Sequence, residues 1–147
     1  MRYFEDFSVG QVFELGHREM RKEDLVAFAR EYDPQPFHLD EEAGKRSMYG
    51  GLIASGWHTL AVGSRLFGDT ILKDTAGLGS PGIEDLRWLL PVRPGDVLSG
   101  RATVLETRAS ERNPARGTVR WHCETLNQDG EVVLSMKALM FFGRRPD

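Results

Sequence analysis

Apolar residues in the first half of the chain recur with a helical period. Over residues 22–32 they fall at Leu25, Phe28, Ala29 and Tyr32, a spacing that places them on one face of an α-helix. Acidic residues occupy the first turn of this segment, where they complement the helix dipole. The helix must end before the proline that follows it, so its C-terminal end delivers an aspartate to the next loop.

Two further helices are predicted before the middle of the chain. A short polar one spans residues 40–46, because Asp40 can act as its N-cap. A longer one spans residues 55–67 and is apolar around nearly its whole circumference, so we expect it to be buried on most sides. Gly56 and Gly63 each cost about 1 kcal/mol inside a helix relative to alanine. We therefore expect close packing at Gly63 and a close approach to the bare backbone at Gly56.

The second half changes to a period of two, which is typical of β-strands. Strands are predicted over residues 12–20, 98–104, 119–125 and 132–140, with an apolar stretch over 83–90 and a loop over 75–81. Helices followed by long antiparallel strands indicate an α+β domain in which a sheet wraps a mostly buried helix. A sheet of this kind often leaves edges for a partner subunit, so we expect an oligomer.

Composition narrows the function classes. At 147 residues, the chain is expected to be a single domain over residues 1–147. Its net charge of −3 gives no reason to expect the strongly basic surface that binds nucleic acid. The single Cys123 excludes an intrachain disulfide framework. No secretory signal is recognised at the start, and charged residues interrupt the most apolar segment, residues 50–72, so no membrane span is predicted. A cytoplasmic protein is the expectation.

The residues between Tyr32 and Asp40 carry the strongest chemical signal. Asp33 and His38 lie five positions apart in a segment with two prolines, which we expect to be non-helical and rigid. A carboxylate and an imidazole held in fixed relative positions can bind and deprotonate a water. The alternative is structural: an aspartate that caps a turn beside a satisfied loop histidine.

The other histidines are assigned structural roles. His17 and His122 are expected on the surface, and His58 is expected to be packed. The four histidines show no spacing typical of a metal site, so no metal is proposed.

The remaining candidates carry weaker signals. The glycine-rich residues 77–82 do not follow a strand and open a helix, so they do not fit a dinucleotide loop. Arg108, Arg112 and Arg116 surround a predicted loop and could pair with the phosphates of coenzyme A. An ordinary solvated loop is an equal alternative. Cys123 is expected in the core.

The motif Tyr32-Asp33-x-x-Pro36-x-His38-x-Asp40, followed by Gly50-Gly51-Leu52-Ile53-Ala54-Ser55-Gly56, resembles the hydratase motif of the MaoC-like dehydratase family. That family includes the (R)-specific enoyl-CoA hydratases. The resemblance extends through residues 78–96, which look like the family's strand-and-turn segment. It implies the hot-dog fold, a long helix wrapped by a curved antiparallel sheet.

The resemblance also implies site residues. Asp33 and His38 would activate the water that adds to a trans-2-enoyl thioester, and the Gly56 N–H would donate to the thioester oxygen. Ser64 matches a position where the family often has a serine near the pair. Many members have a histidine where this chain has Ser55, which is predicted to cap the helix instead. The implied substrate is an acyl-CoA, without cofactor or metal, and the implied assembly is a homodimer or higher homo-oligomer.

Two other functions stay open at this point. A hot-dog thioesterase would direct water at the thioester carbonyl instead of C3, and it would release a free thiol. A non-catalytic acyl-thioester-binding subunit would keep the fold but would have no need of a fixed Asp33 and His38.

Overall fold

Five antiparallel strands form one sheet in the computed structural model, which describes all residues from 1 to 147. The strands are β1 (Val12–Glu19), β2 (Gly77–Trp88), β3 (Val97–Ala109), β4 (Arg116–Leu126) and β5 (Val132–Gly143). Their order across the sheet is β1-β3-β4-β5-β2. Along β4, buried and half-buried residues alternate strictly, so one face of the sheet covers the core and the other faces solvent.

The longest helix lies across the buried face of this sheet. The helices are α1 (Lys22–Tyr32), α2 (Pro36–Leu39), α3 (Glu41–Arg46) and α4 (Gly56–Thr70). On α4, Val62 and Leu66 are buried, and the Phe67 ring meets Trp121 of β4 edge to face at 5.1 Å between centroids. The α+β class and the hot-dog arrangement are therefore confirmed. None of the helices is both long and apolar enough to span a bilayer.

Helix α4 is less buried than its composition predicts. Its outer face leaves Trp57, Ala61, Ser64 and Arg65 exposed, so the prediction of burial on most sides is wrong for the single chain. One sheet covers only one side of a helix. The expected close approaches are present: an added Cβ at Gly63 would lie 2.9 Å from the Thr125 hydroxyl oxygen.

The predicted loop over residues 75–81 is also wrong, because β2 begins at Gly77. This edge strand pairs with β5 but shifts register at several points. Gly79 and Gly82 have positive φ angles, and Pro81 lies between them. Glycine and proline are tolerated in a strand mainly at edges and bulges, which is why composition alone indicated a loop.

Two side chains on β4 test simple sequence predictions. Cys123 is buried as expected, and desolvation raises the pKa of its thiol to about 12. His122 differs from its predicted surface role. It is half-buried, and its Nε2 lies 2.9 Å from the Ser135 hydroxyl oxygen across the strand pair.

Candidate active site

The ends of two helices bring Asp33 and His38 together. Asp33 is the C-cap of α1, and its backbone N–H donates to the Ala29 carbonyl at 2.8 Å. His38 lies in the short α2, which begins at Pro36. The His38 Nε2 atom is 3.3 Å from the Asp33 Oδ2 atom. The predicted proximity of this pair, called the dyad below, is therefore present.

The expectation that the whole segment is non-helical is wrong. Pro36 occupies the first position of α2, where its missing N–H would lack a helical partner anyway and its fixed φ suits a helix. Gln35 before it is extended, as the residue preceding a proline should be. The two prolines thus shape a tight helical turn that carries His38 inward.

A backbone carbonyl fixes the orientation of His38. The side chain is buried, and its Nδ1 lies 2.9 Å from the carbonyl oxygen of Ile53. A carbonyl can only accept a hydrogen bond, so Nδ1 carries a proton. In the neutral ring, Nε2 is then the unprotonated nitrogen, and it faces Asp33. This is the arrangement that a general base requires.

Asp33 is held in its charged form by two side-chain donors. Gln35 Nε2 donates to Oδ1 at 2.7 Å, and the Ser55 hydroxyl donates to Oδ2 at 2.8 Å. Burial is the largest single influence and disfavours the charge, but these hydrogen bonds outweigh it, with a smaller contribution from His38 whenever its ring is protonated. The pKa of Asp33 is therefore lowered from its ordinary value. The carboxylate stays ionised near neutral pH.

The first residue of α4 offers a free backbone donor beside the dyad. Ser55 caps this helix, as predicted, because its Oγ accepts from the Trp57 N–H at 3.2 Å. Gly56 follows as the first helical residue, and its N–H has no acceptor within the protein. Trp88 packs against Gly56, and its indole N–H donates to the Gly56 carbonyl at 2.8 Å. An N–H at a helix N-terminus is suited to bind a developing negative charge.

These groups share one cavity of about 470 Å³. Its wall consists of Asp33, Gln35, Phe37, His38, Tyr49, Ile53, Ala54, Gly56, Trp57, Thr59, Trp88, Leu89, Leu90, Pro91 and Val92. Most of this wall is apolar, and its polar groups include Asp33, His38 and the Gln35 amide that donates to Asp33. A cavity of that composition is typical of a small-molecule site.

Not every residue implied by the resemblance reaches this cavity. Asp33, His38 and Gly56 line it, whereas Ser55 is fully buried and contacts Asp33. Ser64 lines a separate apolar cavity of about 320 Å³ between α4 and the sheet. The structure therefore does not bring Ser64 to the dyad within one chain.

Three wall or support residues were not singled out from the sequence. Gln35 orients Asp33, Thr59 lines the cavity one turn beyond Gly56 and is buried, and Trp88 packs on Gly56. Gln35 could have been recognised as a donor two residues from the carboxylate. Trp88 is 32 residues from Gly56 in the chain, and no local pattern links the two.

The arginine cluster lies away from the dyad. Arg108, Arg112 and Arg116 line a separate cavity at the β3–β4 hairpin, and Arg116 lies over the Phe141 ring at 4.2 Å. The dyad cavity adjoins Trp88, at the opposite end of the sheet. The paired positions at the two ends lie nine residues apart along β5, from Leu134 to Gly143, which corresponds to roughly 30 Å.

His58 is packed, as predicted, and has no role in the dyad cavity. Its ring stacks on Phe28 with centroids 4.6 Å apart, and its Nδ1 is buried without a hydrogen-bond partner. Desolvation is the main cause that lowers the pKa of His58, and Arg18 adds to it while Asp24 opposes it. Protonation is therefore less favourable in the folded protein than in the unfolded chain.

This lowered pKa predicts a loss of stability on acidification. The unfolded chain takes up the His58 proton near its ordinary pKa of 6.5, while the folded protein takes it up only at lower pH. The stability that the neutral His58 contributes is therefore fully present above pH 6.5 and is lost as the pH falls below it. His58→Phe should therefore show a shallower decline in the free energy of unfolding below pH 6.5. Urea titrations of both proteins at several pH values measure this decline. Parallel declines in the wild type and His58→Phe would contradict the prediction.

Comparison with known proteins finds relatives along most of the chain. The chain matches the family model of the MaoC like domain over residues 6–124. It is 34% identical over 145 residues to the uncharacterized protein YdeM of Bacillus subtilis, covering 90% of this chain and 97% of the relative. It is 30% identical to a mesaconyl-CoA hydratase of Cereibacter sphaeroides over 91% of this chain but only 39% of the relative.

Solved structures agree over the whole fold. A MaoC-like dehydratase from Rhodospirillum rubrum superposes with a TM-score of 0.91 at 44% identity, covering 99% of both chains. The (R)-hydratase PhaJ1 from Pseudomonas aeruginosa gives a TM-score of 0.78 at 27% identity, covering 97% of this chain and 86% of the other.

Proposed function

The chain belongs to the MaoC-like domain family, and from this premise we propose that it is an acyl-CoA hydratase or dehydratase of the enoyl-CoA type. The observation that carries the proposal is the dyad itself: the His38 Nε2 lies 3.3 Å from the Asp33 carboxylate, beside the free N–H of Gly56. One base, one fixed acceptor and one oxyanion donor are the groups that addition of water to an enoyl thioester needs.

The dyad can hold the attacking water. A water that donates to Asp33 and His38 presents its oxygen to C3 of a trans-2-enoyl thioester. As that oxygen bonds to C3, His38 Nε2 takes up one of its protons. The ionised Asp33 stabilises the imidazolium that results, because opposite charges attract strongly where water is excluded.

The Gly56 N–H can stabilise the charge that leaves the double bond by donating to the thioester oxygen. The electron pair of the C2–C3 bond moves onto the thioester oxygen, which becomes enolate-like. A preorganised donor at that oxygen is typically worth about 3 kcal/mol. Return of the proton to C2 collapses the enolate and completes hydration, and the same steps run backwards in dehydration.

The function is tested with a panel of short enoyl-CoA thioesters. Loss of the conjugated-enoyl absorbance is followed alongside a thiol-trapping dye. We expect the absorbance to fall without thiol release. Thiol release with an intact enoyl band would instead identify a thioesterase, and binding without either signal would identify a non-catalytic subunit.

The hydrogen bond from Gln35 predicts a shift in the titration of Asp33. This bond favours the charged form of Asp33 and helps to lower its pKa. Gln35→Met keeps the side-chain length but removes the donor, so the pKa of Asp33 should rise. An NMR titration of the Asp33 carboxylate should then have its midpoint at higher pH than in the wild type. An unmoved midpoint in Gln35→Met would contradict this role.

We propose that the protein is a homodimer or higher homo-oligomer that uses the free edge of β2. Large apolar side chains are exposed on this strand and just beyond it: Leu78, Ile83, Trp88, Leu89 and Leu90. An exposed apolar edge strand is a common pairing surface. Light scattering after size-exclusion chromatography measures the mass, and a monomer at micromolar concentration would refute the proposal.

A further inference from the structure

The Arg93 guanidinium lies at the rim of the dyad cavity. Arg93 directly follows Pro91 and Val92, which are part of the cavity wall. Its Nη2 donates to the carbonyl of Tyr49, another wall residue, at 2.6 Å. The side chain therefore bridges two segments that contribute to the wall, and it is exposed to solvent.

Gly51 leaves room for this guanidinium. A Cβ added to Gly51 would lie 3.2 Å from the Arg93 Nη1, which is closer than an ordinary van der Waals contact. Gly51 is two residues before Ile53, whose carbonyl orients His38. The backbone segment that positions the base therefore also runs beside the positive charge.

The charge of Arg93 is not used to hold its own turn. The nearby Asp96 accepts from the Arg93 backbone N–H at 2.8 Å and from the Gln128 amide at 3.0 Å, whereas the guanidinium donates to the neutral Tyr49 carbonyl. A guanidinium has five N–H donors in a planar fork, and this carbonyl takes one of them. The donors that remain can bind a carboxylate or a phosphate with two parallel hydrogen bonds.

We infer that Arg93 binds an anionic oxygen group of the thioester substrate at the rim of the dyad cavity. The inference rests on the proposed function, because a thioester that reacts at the dyad extends from it towards the rim of the same cavity. Two groups of such a substrate have suitable oxygens: the phosphates of coenzyme A and a carboxylate at the end of the acyl chain. Arginine recognises both by the same planar geometry.

Three enoyl thioesters distinguish these two sources. Crotonyl-pantetheine has neither group, crotonyl-CoA adds the phosphates, and fumaryl-pantetheine adds a carboxylate. We expect Arg93→Gln to lower kcat/KM about tenfold for an anionic thioester relative to crotonyl-pantetheine. A relative loss with crotonyl-CoA identifies a phosphate as the ligand, and one with fumaryl-pantetheine identifies the carboxylate. An equal loss with all three, or none, would overturn the inference, because the guanidinium would then only tie Tyr49 to the turn.

Two further variants serve as controls. Arg93→Lys keeps the charge without the planar fork, so its relative loss should be smaller than that of Arg93→Gln. Arg144→Gln removes the same charge at the opposite end of the sheet, where Arg144 pairs with Glu5 at 2.9 Å, and it should keep the wild-type ratios. A relative loss in Arg144→Gln as large as that in Arg93→Gln would reveal a general effect of net charge and overturn the inference.

Binding of saturated thioesters separates this inference from the proposed function. Butyryl-pantetheine, butyryl-CoA and succinyl-pantetheine form the same series and cannot be hydrated, so NMR titrations give their Kd values whether or not the protein is a hydratase. If enoyl turnover is absent but Arg93→Gln weakens only an anionic thioester, the proposed function fails and the role of Arg93 stands. Hydration by a protein whose Kd and kcat/KM ratios do not change in Arg93→Gln would overturn the inference and leave the hydratase assignment intact.

Discussion

Replacing His38 with asparagine should lower the rate of enoyl-CoA hydration by about 10³-fold, within the range that loss of a general base produces. The asparagine amide can still donate to the Ile53 carbonyl, which the His38 Nδ1 does at 2.9 Å. The variant therefore retains the buried hydrogen bond and removes only the Nε2 base that faces Asp33. The loss should appear in kcat, because the base acts in the transition state.

The measurement is the initial rate of crotonyl-CoA hydration, with circular dichroism and thermal unfolding to verify the fold. His122→Asn is the control, since His122 is half-buried on β4 and hydrogen-bonded to Ser135, outside the dyad cavity. We expect wild-type rates from it. If His38→Asn stays folded and hydrates within tenfold of the wild type, His38 is not the base.

Much of the scaffold of this site could be predicted from the sequence, because its signals are local. The apolar period of α1 and the cap of α3 depend on residues within one or two turns. Asp33 and His38 are five residues apart, so their proximity follows from a short rigid connection. The Asp40 side chain accepts from the Ala43 N–H at 3.0 Å, as an N-cap should.

What the sequence did not predict depends on contacts between distant segments. The Ile53 carbonyl that orients His38 is 15 residues away, and a backbone acceptor has no signature in the residue type. Trp88 reaches Gly56 only because β2 ends beside the start of α4. The exposed outer face of α4 could not be foreseen either, since composition does not reveal how much of a helix one sheet covers.

The contact of Trp88 with Gly56 makes Gly56→Ala the second substitution for which we expect a large effect on activity. In Gly56→Ala the new Cβ would lie 2.6 Å from both Cε2 and Nε1 of Trp88, closer than real Cβ contacts allow. Either the indole or the start of α4 must move. A displaced Gly56 N–H no longer matches the enolate oxygen, so we expect kcat to fall about 10²-fold, as it does when an oxyanion donor is lost.

A second substitution distinguishes this steric cause from a simple intolerance of alanine. Trp88→Leu removes the ring that the new Cβ would strike, together with the indole N–H that donates to the Gly56 carbonyl at 2.8 Å. If the indole contact is the cause, Gly56→Ala should cost much less activity in a Trp88→Leu background than in the wild type, so the effects should be strongly non-additive. Steady-state kinetics with crotonyl-CoA on all four proteins gives the coupling. Additive effects would mean that the alanine harms the site through the helix backbone itself, and Trp88 would then be a wall residue without a role in placing the oxyanion donor.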